Sequence, residues 1–133
     1  MRNYFVKIKY FKPSEFDSPD VPGTGIGINY DLVVILDRIR HAIGRAIIIN
    51  SGVRTIKHNR LIGGVDDSEH LDGNAADVNI PDSEFRYFFI FYALKYGIER
   101  LFIYERHIHV GIDHNKPHPV IGYVKPEKQR KNK

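Results

Sequence analysis

Apolar residues recur at helical spacing after Asp31: Leu32, Ile35, Leu36, Ile39 and Ile43 fall on one side, while Asp37, Arg38, Arg40 and His41 take the other. That periodicity predicts an amphipathic helix ending at Gly44. Ala46 to Asn50 is a β-branched run that predicts a buried strand leading into a turn at Ser51-Gly52. A short helix is expected near residues 55–62, and Gly63-Gly64 with Asp66-Asp67-Ser68 marks a loop. Pro81-Asp82-Ser83 then opens a second long helix that runs to Tyr96. Along it Phe85, Phe88, Phe89, Tyr92 and Tyr96 form an aromatic stripe expected in the core, and Ile90 and Phe91 widen the stripe enough to predict a helix covered on more than one side. Residues 1–30, rich in Pro and Gly, read as a loose end, and no internal repeat or linker interrupts the chain beyond them.

Two segments alternate with period two. From Leu101 to Asp113 the even positions are Phe102, Tyr104, Arg106, Ile108, Val110 and Ile112, and the odd ones include Glu105, His107, His109 and Gly111. Read as one strand, the even face is largely core and the odd face carries a carboxylate and two imidazoles in a row. Residues 75–80 repeat the arrangement, with Ala76, Val78 and Ile80 on one side and Asp77 and Asn79 on the other. If both strands lay an apolar face on the same helices, Asp77 and His109 would share a polar face. His70 lies just upstream, in a Gly-containing loop able to fold back over it.

Composition narrows the chemistry. The chain has 133 residues, 42% of them hydrophobic, with no cysteine and no tryptophan. It suits one compact domain, and any metal must be held by His, Asp or Glu. The formal charge of +4 is carried by the run 125–133, five cations and one anion, so residues 1–124 balance to zero. The expected organisation is a domain over 1–124 and a solvated, disordered basic tail over 125–133. A neutral body argues against nucleic-acid binding, although the tail leaves a weak case for it. No apolar run reaches the roughly 18 residues of a membrane span, and Arg2, Lys7 and Lys9 interrupt the N-terminus where a signal peptide would be apolar. The expectation is a soluble, monomeric chain that is cytoplasmic as made, with no export signal of its own and no membrane partner.

A catalytic zinc takes three protein ligands from His and Asp or Glu and leaves a position for water, whose pKa it lowers towards about 7. His70, Asp77 and His109 supply that set. The competing reading is three unrelated side chains, two ordinary histidines and a carboxylate capping a turn. It holds for any one of them alone and weakens for three on adjacent polar faces. His41, His58, His114 and His118 have no such company and read as surface residues.

These residues also carry a resemblance. Ser68-Glu69-His70-Leu71-Asp72-Gly73-Asn74-Ala75-Ala76-Asp77 matches the S-x-H-x-x-G-x-A-x-D signature of the zinc D-alanyl-D-alanine carboxypeptidases and the related phage endolysin peptidases. Ser51-Gly52-Val53-Arg54-Thr55 resembles that family's S-G-x-R-[ST] segment, His107-Ile108-His109 its terminal histidine motif, and Tyr10 to Phe16 the lead-in common among small members. The resemblance implies an α+β domain of the hedgehog/DD-peptidase kind, an antiparallel sheet with helices on one side. It also implies one zinc ion held by His70, Asp77 and His109. Arg54 would bind substrate or polarise the scissile carbonyl, and Ser68 would orient the His70 loop or touch the attacking water. Many members place Asp or Glu three residues before the final histidine, where this chain has Arg106. Glu105, on the odd face, is the expected general base and His107 the runner-up; Gly111 stands where close small relatives often carry Asp.

The activity so implied is hydrolysis of peptide bonds in peptidoglycan stem peptides, by a D-Ala-D-Ala carboxypeptidase or by an L-Ala-D-Glu type endopeptidase. The chain would act as a phage-type lysin released to the wall by another protein, or on fragments inside the cell, its tail holding anionic wall polymers. The alternative is a zinc-stabilised binding or structural module that has lost its base, favoured by Arg106 and Gly111.

Overall fold

The computed structural model describes residue 5 and residues 7–125. Three helices, α1 (Tyr30–Ile43), α2 (Ile56–Leu61) and α3 (Ser83–Lys95), accompany five strands: β1 (Ile49–Ser51), β2 (Ala75–Asn79), β3 (Arg100–Ile103), β4 (His107–Gly111) and β5 (Val120–Tyr123). The strands form one sheet in the order β1-β2-β4-β3-β5. The α+β architecture is as expected, with one difference. The first four strands pair antiparallel, but β5 joins β3 in parallel, so the sheet is mixed.

The helix ends have local causes. Asn29 caps α1 by accepting the Asp31 N–H at 2.9 Å, and Gly44 closes it at φ 73°, a conformation that costs a residue with Cβ. Leu32, Val33, Leu36 and Ile39 turn into the core, while Ile35 and Ile43 are only partly covered. Asp82 caps α3 through the Phe85 N–H at 2.8 Å. Phe85, Phe89 and Ala93, four residues apart, are the buried line of that helix. The expectation of cover on more than one side is overturned: Phe88 and Phe91 are 41% and 49% exposed, and Tyr87 and Leu94 join them outside. A 13-residue helix on the edge of a small domain meets the core along one stripe only.

Three further expectations change. Ladder pairing in β1 begins at Ile49; before it the Ile48 carbonyl accepts the Asn79 N–H of β2 at 2.9 Å, with Ile47 buried and the Ile48 side chain open to solvent. Leu101 to Asp113 is a hairpin rather than one strand. Tyr104 N–H bonds to the His107 carbonyl at 2.9 Å, and the parity of faces reverses across the turn. Leu101 and Val110 therefore face the core, while Phe102 lies opposite His109 on the polar side. Residues 1–30 are not a loose end where they are described. Two 3-10 turns, Pro13–Phe16 and Thr24–Gly27, carry Phe16 and lead to Ile28, and both side chains, with Phe11, enter the core. Apart from Lys125, the basic tail lies outside the described residues, and among the described residues no helix is long and apolar enough to cross a membrane.

Candidate metal centre

Asp77 on β2 and His109 on β4 are direct partners across the ladder, which sets both side chains on the same face. His70 comes from the 3-10 turn Glu69–Asp72. Ser68 caps that turn by accepting the His70 N–H at 3.3 Å, and Gly73 closes it at φ 73°. A Cβ on Gly73 would also sit 2.2 Å from the Gly27 carbonyl, so only glycine lets the turn pack this closely.

The ring orientations follow from their partners. His70 Nδ1 lies 2.7 Å from the Gly52 carbonyl, which can only accept, so Nδ1 carries the proton and Nε2 keeps its lone pair. That Nε2 is buried with no aligned hydrogen bond, 3.3 Å from Asp77 Oδ1. His109 points Nδ1 at the same oxygen, at 2.9 Å, and Nε2 at Glu69 Oε2, at 2.6 Å. One donor atom from each of His70, Asp77 and His109 lies within 4.8 Å of the others. Tetrahedral bonds of about 2.0–2.2 Å require donors roughly 3.4 Å apart. The three residues thus fit a single metal ion, and the orphaned imidazole nitrogen is what such an ion would satisfy.

Charge balance points the same way. Burial works against ionised Asp77, but the hydrogen bond from His109 and the electrostatics of the two neighbouring imidazoles hold its carboxyl far below the usual carboxylate range. Burial likewise opposes a charged His109 and loses to Asp77 and Glu69, so that ring titrates above the ordinary histidine value. Glu69 is lowered, because its bonds from His109 and Arg100 outweigh its burial.

Arg54 reaches this group from the loop after β1. Nη2 donates to Asp77 Oδ2 at 3.2 Å, Nε to Ser51 Oγ at 3.1 Å and Nη1 to Asn59 Oδ1 at 3.3 Å. It lines a cleft of about 270 Å³ together with the Gly63–Val65 loop, Ser68, Tyr104 and the three candidate ligands. Of the residues expected at the site, His70, Asp77, His109, Arg54 and Ser68 are brought together there. His107 lies on the same face of β4 as His109, half-buried and stacked on Tyr104 at 4.2 Å; burial, only partly offset by Asp77, pushes its pKa down. Glu105 is not brought in. It sits in the exposed turn between β3 and β4, where its backbone carbonyl accepts from Arg86, and the parity that placed it beside His109 ends at that turn. Glu69, Arg100, Asn59 and Tyr104 were not anticipated. Glu69 could have been suspected as a carboxylate adjoining a ligand, opposite a position, Gly111, that has no side chain.

A family model described as Peptidase M15 matches residues 9–113. No curated protein matches the chain.

Proposed function

The chain belongs to the M15 peptidase family, whose members use zinc, and from that premise we propose that it is a zinc metallopeptidase hydrolysing peptide bonds in peptidoglycan stem peptides. The observation that carries the proposal is the grouping of His70, Asp77 and His109 in one cleft with Arg54. His70, Asp77 and His109 would hold the zinc, which when bound would supply a Lewis acid for the scissile carbonyl and for a water whose pKa such an ion lowers towards about 7.

The other steps fall to the chain's own groups. Arg54, fixed by Ser51, Asn59 and Asp77, offers a pre-aimed positive charge to the carbonyl oxygen as it gains charge, or to a substrate carboxylate. His107 takes a proton from the attacking water and returns it to the leaving amine. Its burial keeps the ring neutral and able to accept, whereas the exposed turn position of Glu105 speaks for His107 over it. Ser68 acts through the turn it caps, holding His70 in place. In this reading residues 1–124 act as a monomeric peptidase on peptidoglycan, with no part for nucleic acid or membrane. The chain works as a phage-type lysin delivered to the wall or on fragments within the cell, and the basic run 125–133 tethers it to anionic polymers.

Arg106 favours one other reading, a zinc-stabilised binding module without turnover, since it stands where many members of the family place an acid. Purified sacculi separate the two. Chelator-sensitive release of muropeptides, lost in His70→Ala, is the expected result, and the fragment masses report terminal D-Ala loss or an internal cut. Stoichiometric zinc without any release would overturn the peptidase.

A further inference from the structure

Behind His109, on the side away from Asp77, lies a buried ion pair that the proposed reaction does not use. Glu69 is 3% exposed, and both of its oxygens are engaged. Oε2 meets His109 Nε2 at 2.6 Å, Arg100 Nε lies 3.3 Å from each oxygen, and the Asp113 N–H donates to Oε1 at 3.3 Å. Arg100 is anchored in turn, its Nη1 donating to the Pro117 carbonyl at 2.5 Å.

The room for this carboxylate comes from the neighbouring strand. Gly111 is the ladder partner of Arg100, and a Cβ built on it would come within 2.1 Å of Glu69 Oε2 and 2.3 Å of the carboxyl carbon. Glu69 therefore fills the space that a side chain at position 111 would occupy. The two residues are complementary: any side chain at 111 would expel the carboxylate, and losing the carboxylate would leave a hole beside a metal ligand.

An acceptor on one nitrogen of a neutral imidazole keeps the proton there and exposes the lone pair of the other. Such partners, standing behind a ligating histidine, orient the ring and typically change metal affinity by about 10–100-fold. We propose that Glu69 is a positioning residue for His109. It holds the proton on Nε2 so that Nδ1 faces Asp77 and His70, in a space that the absence of a side chain at Gly111 creates. The inference rests on the metal-site reading and adds to it which nitrogen of His109 binds and what fixes the choice.

Two measurements test it, neither of them turnover. In the zinc-loaded wild-type protein, long-range proton–nitrogen correlation NMR should show His109 ligating through Nδ1, with a slowly exchanging proton on Nε2; ligation through Nε2 overturns the proposal without any mutation. Chelator competition should give a zinc affinity about 10–100-fold weaker for Glu69→Ala. The double variant Glu69→Ala/Gly111→Asp, which returns a carboxylate to the same space from β4, should recover most of that loss. A Glu69→Ala protein that folds and binds zinc as tightly as the wild type overturns the proposal and leaves the metal site standing, whereas a wild type that binds no zinc removes the reading beneath it.

Discussion

Phe16 couples the N-terminal segment to the metal centre, and its truncation gives a sharp test of that coupling. The ring is fully buried, with Phe11 and Phe5 at centroid distances of 5.6 and 6.1 Å, and the Phe16 carbonyl accepts the Val53 N–H at 2.9 Å. A Cβ on Gly52 would come within 2.7 Å of the Phe16 backbone, so the two chains are in close contact at the residue whose carbonyl orients His70. Phe16→Ala removes a whole buried ring, at a cost of about 3–5 kcal/mol from transfer and cavity together. Unfolding entropy scales with length, and for a chain of this size each kcal/mol is worth roughly 3–4 °C, so Tm should fall by roughly 10–18 °C in differential scanning calorimetry of the metal-free protein. Zinc affinity, read by chelator competition, should weaken as well, because the Gly52 strap loosens. A Tm within about 2 °C of wild type, well inside the effect expected of a core deletion, would refute the claim that this segment belongs to the core. A large Tm loss with unchanged zinc affinity would refute the coupling alone.

The site sets further expectations. Zinc should bind one ion per chain and raise Tm, by an amount that grows with free zinc and corresponds to about 4 kcal/mol at a thousandfold excess over Kd; His70→Ala should abolish the rise in a thermal-shift titration. The raised His109 contributes stability to the metal-free protein that is complete below the ordinary histidine value and is lost as pH climbs through its folded value, whereas the lowered Asp77 and Glu69 contribute stability that is lost on acidification below the ordinary carboxylate range. Metal-free stability, measured by denaturant titration, should thus peak between those ranges, and stability that goes on rising with pH past the ordinary histidine range would contradict the cluster. His107→Ala should lower the rate of muropeptide release by about 10²–10⁴-fold, as expected for loss of a proton carrier, while Glu105→Gln should leave it near wild type; the reverse order in a sacculus assay would restore Glu105 as the base.

The parts of the fold that could be read from the chain are those with a period. α1 and α3 declare themselves by spacing and by end signals at Gly44 and at Pro81-Asp82-Ser83, though the Asn29 cap two residues before Asp31 goes unread, and the alternation of Ala76, Asp77 and Val78 against Ile108, His109 and Val110 is enough to set two ligands face to face. Alternation misplaces Glu105 because it carries no mark of where a strand ends, and Tyr104, Glu105 and Arg106 turn the chain without any Gly or Pro to signal it. Phe11 and Phe16 lie in or beside a 3-10 turn too short to show a pattern, so their burial is a tertiary fact. Glu69 and Arg100 are 31 positions apart, so no local spacing links them and their contact belongs to the tertiary structure.

The order of the sheet bears on how the ligands are kept in place. β2 runs between β1 and β4, and β4 between β2 and β3, so the strands bearing Asp77 and His109 have hydrogen-bonded neighbours on both flanks. Backbone so enclosed opens only when the whole domain does. The amides of Asp77 and His109 should therefore be among the slowest to take up deuterium even before any ion is added, and the ion would arrive at a mould already cast rather than one it must shape.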